Sequence, residues 1–329
     1  MNHTRRDLGK LALGGLTAAR LMAKPNSKFG GVQVGINVPY SFRGMPGSAD
    51  DILQYMTQLN LSAAELRLQP VEAFLGAPGY TAAARGPAPA APPAPAKKGG
   101  GRAPLTPEQE AARRAAAEEL QKWRLSRSMD PFKTFRKKYE DAGVLIEIVK
   151  FDGIDSMADE VVDYCFQVAK ALGGKAISCE IPVSRTKRLG AFADKHKMMV
   201  GYHGHANITN PEAFGRVESW ETAFSFAKYN GANLDIGHFM AGNSTSPVPF
   251  LKKYHDRITH IHLKDRKKDN GPNVPWGQGD TPVAEVLRLM QKERYHFQAT
   301  IEFEYATPPG SDVLTEIAKC VGFCKDALG

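Results

Sequence analysis

Outside two stretches, the chain alternates short apolar runs with longer segments in which apolar residues return every three or four positions. The short runs, at 31–38, 62–68, 144–150, 175–181, 198–204, 232–237, 257–263 and 298–303, read as strands. The segments at 49–59, 131–142, 155–172, 185–196, 211–229, 247–255, 281–292 and 311–327 read as helices. Eight strand–helix units in series require a parallel sheet with crossover helices, an α/β fold. Residues 29–329 less one insertion leave about 250 residues, the usual size of a (β/α)8 TIM barrel. An open doubly wound sheet is the rival, but no glycine-rich phosphate turn follows the first strand.

The first exception to the alternation is 76–107, dominated by Ala, Pro and Gly. Such a segment cannot build a packed core and reads as an extended low-complexity insertion after strand 2. Thr106-Pro107-Glu108 then opens a charged helix running to about Arg127, a capping residue followed by Pro in the first turn. Residues 76–130 are thus an insertion within one domain, 29–329, and not a domain boundary.

The second exception is 1–28, which reads as a signal and linker. Thr4-Arg5-Arg6-Asp7-Leu8-Gly9-Lys10 precedes a weakly apolar run, Leu11 to Ala19. The arrangement resembles a twin-arginine export signal, which implies a periplasmic or exported protein. A basic amphipathic tail is the plainer alternative. The run is too short for a membrane span, and a mean hydropathy of −0.35 argues against an integral membrane protein. The formal charge of +8 falls to about +5 without the leader, and part of the remainder lies in the insertion. Charge spread in this way is a solvated surface and not a phosphate-binding stripe, so no nucleic-acid partner is expected. Four cysteines at this length read as small buried residues.

Polar residues inside the strands say more than the strand count. Side chains alternate along a strand, and in a barrel one face meets the lumen and the other the helices. In Ile258-Thr-His-Ile-His-Leu-Lys-Asp265 the apolar Ile261 and Leu263 must meet helices, which turns His260, His262 and Lys264 inward. The same parity sends in Ser178 and Glu180 from strand 4, His203 and His205 from strand 5, and Asp235 from strand 6. His238 lies just beyond the end of strand 6, and Glu302 and Glu304 turn in from strand 8. Glu65 and Arg67 on strand 2, which could pair with each other, and Glu147 on strand 3 follow the same phase. Burying so many ionisable groups costs on the order of several kcal/mol each unless they are paired or bind a cation. One such histidine would be packing. Acidic and imidazole groups from five strands, all near carboxyl-terminal strand ends where barrel enzymes work, predict a metal site.

The half from Glu180 to Glu304 resembles the sugar isomerase/epimerase family with a xylose isomerase-like barrel, which also includes endonuclease IV. The matching pieces are Glu180, Tyr202-His-Gly-His205, Asn233-Leu-Asp-Ile-Gly-His238, Ile261-His-Leu-Lys-Asp265, Trp276-Gly-Gln-Gly-Asp280 and Ile301-Glu-Phe-Glu304. Similarity to the ketose 3-epimerases implies one divalent ion held by Glu180, Asp235, His262 and Glu302, with Glu180 and Glu302 also acting as the acid/base pair. Three carboxylates and one imidazole suit Mn²⁺, Mg²⁺ or Co²⁺ and accept Zn²⁺. By the same resemblance His203, His205, His238 and Glu304 would contact substrate or support the ligands. Lys264 is a candidate hydroxyl or oxyanion contact, unless it pairs with Asp265 or Glu304. Trp276 is a candidate wall against a sugar face, unless it is core packing. Gly277-Gln-Gly-Asp280 would shape the loop after strand 7, with Asp280 capping the next helix.

The resemblance implies isomerisation or epimerisation, by proton abstraction next to a carbonyl through an enediolate. Export would favour an unphosphorylated carbohydrate as the small-molecule partner, with a homo-oligomer possible. The same chemistry allows a lyase or hydratase acting on a keto-sugar or keto-glycoside. An endonuclease IV-like nuclease would need histidines on early strands, yet none lies between His3 and His196. A non-catalytic sugar-binding barrel is the remaining alternative, and the intact carboxylate set speaks against it.

Overall fold

The computed structural model describes residues 24–80 and 106–329. The twin-arginine-like leader and most of the Ala/Pro-rich stretch lie outside the described residues. Within them a short strand, β1 (Lys28–Phe29), pairs antiparallel with β2 (Val32–Val38). Seven further strands follow: β3 (Ala63–Arg67), β4 (Leu145–Lys150), β5 (Ala176–Cys179), β6 (Met199–His203), β7 (Asn230–Asp235), β8 (Ile258–Leu263) and β9 (Gln298–Ile301). Strands β2 to β9 pair in parallel in sequence order, and β2 also pairs with β9 through Val34↔Ala299 and Ile36↔Ile301. That last pairing closes the barrel, as the eightfold alternation predicts.

Helices connect the strands: α1 (Ala49–Gln58), α2 (Leu68–Phe74), α3 (Pro107–Leu125), α4 (Asp130–Asp141), α5 (Asp159–Ala171) and α6 (Thr186–His196). They continue as α7 (Val217–Phe226), α8 (Ile236–Asn243), α9 (Val248–Tyr254), α10 (Val283–Lys292) and α11 (Val313–Leu328). The core lies between the outer strand faces and these helices. Val34, Ile36, Ile261, Leu263 and Ile301 are fully buried there with Ile52, Met56, Phe166, Leu287 and Met290. Each such side chain contributes about 1.5–3 kcal/mol through burial. Helix α1 starts at a capping box, Ser48 with Asp51, and α3 at another, Thr106 with Gln109. The four cysteines are free and buried.

Helix α3 begins where Thr106-Pro107 predicts. Residues 106–119 are exposed all round, and the helix attaches through its last turns. There Arg124 donates from Nε to Glu72 Oε1 at 2.7 Å and from its terminal nitrogen to Glu72 Oε2 at 2.9 Å. Glu72 also accepts from the Tyr80 hydroxyl at 2.8 Å, and its side chain is fully buried.

Three expectations need correction. Glu147 does not follow the lumen phase. Across β3 and β4, Ala64 faces Ile146 but Glu65 faces Ile148, so Glu147 is the extra residue of a bulge. Glu147 is instead held by Lys175 Nζ at 2.6 Å, and beyond the bulge it is Lys150 that points inward. Glu65 and Arg67 do not pair. Arg67 donates to Asp152 at 2.7 Å, while Glu65 meets histidines of β8. Asp280 does not cap α10, whose cap position is Pro282; it accepts the Lys268 amide at 2.9 Å. The loop is shaped by Asp265, which accepts the amides of Gly277 and Gly279 at 2.8 Å and of Thr281 at 3.2 Å.

Candidate active site and metal centre

The carboxyl-terminal ends of β6, β7, β8 and β9 bring together His203, Asp235, His262 and Glu302, each offering one atom within 4.8 Å of the others. All four residues are buried. The strand register accounts for this: Asp235 lies beside His262 across β7 and β8. Glu302 extends the β8–β9 ladder by donating its amide to Leu263 O at 3.1 Å.

In three of the four, one end of the side chain is fixed by the protein and the other is turned to the group. Asp235 Oδ1 accepts the His238 amide at 2.7 Å and so caps α8, leaving Oδ2 facing inward. Glu302 Oε1 accepts from Asn37 Nδ2 at 2.8 Å, leaving Oε2. His262 Nε2 sits 2.5 Å from Glu65 Oε2, leaving Nδ1 at 3.1 Å from Glu302 Oε2 and 3.8 Å from Asp235 Oδ2. His203 Nε2 lies 3.5 Å from Asp235 Oδ2 and 3.8 Å from Glu302 Oε2. Asp235 Oδ2, Glu302 Oε2, His262 Nδ1 and both His203 ring nitrogens are buried without a hydrogen-bond partner. Buried polar atoms are seldom left so, and four of them, one from each residue with His203 contributing Nε2, converge on one place that fits a cation.

Glu180 stands to one side of this group. It accepts from Lys150 Nζ at 2.5 Å and lies 3.3 Å from His205 Nε2 and 3.5 Å from His203 Nδ1. Glu180 and Glu302 therefore flank opposite edges of the His203 ring, Glu180 half exposed at the mouth and Glu302 within. Burial alone would raise the Glu180 carboxyl, but the His205 hydrogen bond and the Lys150 and His203 charges outweigh it and hold it well below its usual value. Burial would likewise raise Glu302, and the charges of Lys264 and His262 reverse the direction. His203 is pushed down by burial and by the neighbouring His262. His262 moves the other way: burial opposes its charge, but Glu302 and Glu65 raise it to about 10.

Lys264 does not pair with Asp265. Its Nζ lies 2.9 Å from Asp235 Oδ2 and 2.5 Å from both Glu302 Oε2 and Glu304 Oε2. His238 bridges outward, with Nε2 3.2 Å from Lys264 Nζ and Nδ1 2.6 Å from an Arg266 guanidinium nitrogen. Glu304 also accepts from the Tyr40 hydroxyl and from Asn273 Nδ2 at 3.3 Å. Trp276 packs edge-on against Phe323 of α11, with ring centroids 5.6 Å apart, against the outer core. Sequence reasoning passed over Lys150, Asn37 and Arg266. The bulge hides the phase of Lys150, whereas Asn37 shares a face with no apolar partner on β2 that would mark it.

The fold is a closed eight-stranded TIM barrel, and a family model described as a xylose isomerase-like TIM barrel matches residues 158–321, from α5 into α11. Over 126 residues the chain is 25% identical to the inosose dehydratase of Clostridium tetani, covering 37% of this chain and 35% of that protein. It therefore spans about a third of that relative's length. The fold also matches D-psicose 3-epimerase with D-tagatose from Clostridium cellulolyticum H10, with a TM-score of 0.59 and 10% identity over 90% of this chain and 99% of that one. It matches the IolI protein with a bound zinc atom, with a TM-score of 0.55 and 12% identity over 91% of this chain and 99% of that one. At these identities the structural likeness is one of fold.

Proposed function

We propose that the protein is a divalent-metal-dependent enzyme that isomerises or epimerises an unphosphorylated carbohydrate by removing a proton next to a carbonyl. The observation that carries this reading is the convergence of four unpartnered buried donor atoms, one each from His203, Asp235, His262 and Glu302, at the mouth of the barrel. Asp235, His262 and Glu302 would hold the ion, with His203 or Glu180 completing its shell. Two carboxylates and two imidazoles suit Mn²⁺, Co²⁺ or Zn²⁺, and zinc is the ion named for IolI. A bound divalent ion would polarise the sugar carbonyl and its neighbouring hydroxyl.

The chain's own groups supply the rest. Glu180 is half exposed and kept ionised by Lys150 and His205, so it can take a proton from a substrate entering at the mouth. In an isomerisation Glu180 would return the same proton to the neighbouring carbon. In an epimerisation Glu302, on the far edge of His203, would first take a proton from a substrate hydroxyl and deliver it to the opposite face, while Glu180 would release its own to solvent. His205 stands half exposed at the rim to meet a hydroxyl, while His238, engaged by Lys264 and Arg266, would meet one only by giving up one of those partners. Loss of water from the same deprotonated sugar, as a dehydratase performs it, is the second reading, and the sequence likeness to inosose dehydratase favours it. The paired arginines of the leader support export as a further part of the proposal.

The test is an NMR product screen in D₂O with free sugars and keto-glycosides. Wild type should place deuterium at the carbon next to the carbonyl, and Glu180→Gln and Glu302→Gln should not. Variants that exchange as fast as wild type would refute the acid/base roles. A product one water lighter would select the dehydratase reading.

A further inference from the structure

Lys264 brings a cation of its own into the donor group. It is buried, and its Nζ approaches Asp235 Oδ2 at 2.9 Å and Glu302 Oε2 at 2.5 Å. These are the same two oxygens that face His203 Nε2 and His262 Nδ1. Neither contact has hydrogen-bond alignment, so both oxygens remain without a directed donor. The aligned hydrogen bonds of the ammonium go to Glu304 Oε2, at 2.5 Å, and to His238 Nε2, at 3.2 Å. Glu304 is itself anchored by Tyr40, by Asn273 and by Arg43 at 3.7 Å. The path of the lysine stem is built into the fold: a Cβ at Gly237 would meet Lys264 Cγ at 2.3 Å.

We infer that Lys264 is an internal counter-cation that competes with the divalent ion for Asp235 and Glu302, leaving them for Glu304 when the ion binds. The inference rests on the reading that Asp235 and Glu302 are metal ligands. An ammonium and a divalent ion on the same oxygen would stand within a few ångströms of each other, and in a buried site such repulsion is poorly screened. The hydrogen bond to Glu304 gives the ammonium a place to remain. Lys264 thus keeps the acidic group folded and neutralised without metal, at the cost of weaker metal binding.

The experiment is titration calorimetry of the full chain with Mn²⁺ for wild type, Lys264→Met, Glu304→Gln and the double variant, with thermal melts to establish folding. Lys264→Met should bind Mn²⁺ about tenfold or more tightly. Glu304→Gln, which removes the refuge of the ammonium, should weaken binding severalfold, and most of that loss should vanish in the double variant. If Lys264→Met does not fold, the weakening by Glu304→Gln, read against Lys264→Gln, carries the same comparison. Wild type that binds while Lys264→Met binds no tighter, or strict additivity of the two substitutions, would overturn the inference alone. If neither wild type nor the lysine variants bind Mn²⁺, the metal reading falls and this inference with it.

Discussion

Glu65 shows how a residue can matter to a site without facing it. Its carboxylate lies 2.5 Å from His262 Nε2 and 3.3 Å from His260 Nε2, all of them buried. With one proton held on Nε2 by Glu65, an ion that displaces the Nδ1 proton would meet a lone pair aimed past Asp235 and Glu302, the arrangement by which carboxylates orient metal-binding histidines. Glu65→Gln should therefore lower metal affinity about 10–100-fold, measured by competition with a chromophoric chelator. An affinity equal to wild type would show that Glu65 only fills space. At this scale the sequence is legible where alternation is unbroken: Asp235, His262, Glu302 and Lys264 all turn inward as their parity requires. It is illegible at Glu147 and Lys150, because one bulged residue reverses the phase of a strand and nothing in the composition of β4 marks the bulge.

Among the elements, the eight barrel strands and the helices that follow them were readable from periodicity, since each strand buries an apolar face and each helix an apolar stripe. Two helices were not. Helix α8 starts directly at Ile236, and Ile236-Gly-His-Phe-Met-Ala-Gly-Asn243 carries apolar residues nearly all round, so no helical stripe separates it from β7. Its start is written instead in Asp235, which caps the helix with one oxygen and turns the other to the site. Helix α2 follows β3 without any turn residue between them. Strand packing sets a limit at Gly201 of β6, where a Cβ would meet Thr259 Oγ1 of β8 at 2.0 Å and the Asn233 amide of β7 at 3.1 Å. Gly201→Ala should destabilise the barrel by about 1–3 kcal/mol, read as a lower midpoint in urea. Breaking the Arg124–Glu72 pair by Arg124→Ala strands a buried carboxylate and should cost about 3–5 kcal/mol. Thermal unfolding would show this as a fall of about 6–15 °C; an unchanged midpoint would mean that α3 is held by other contacts.

For the whole molecule, the proposed ion links function to stability. An ion that binds the folded chain and not the unfolded one stabilises it by about 2.7 kcal/mol at a hundredfold excess over its dissociation constant. The melting temperature should therefore climb with added Mn²⁺ and return to its starting value with chelator, and a flat response would count against the centre. The described residues hold no helix long and apolar enough to cross a membrane.

The grip of Arg124 and Tyr80 on Glu72 has a consequence for the chain as a polymer. The stretches on either side of residues 81–105 meet at one buried carboxylate, and they are woven into the same barrel by the pairings of β2 with β9 and of β3 with β4. Backbone continuity across 81–105 is then dispensable once folding is complete. A protease that severs the chain there should yield two fragments that separate in denaturant yet travel through a sizing column as a single particle.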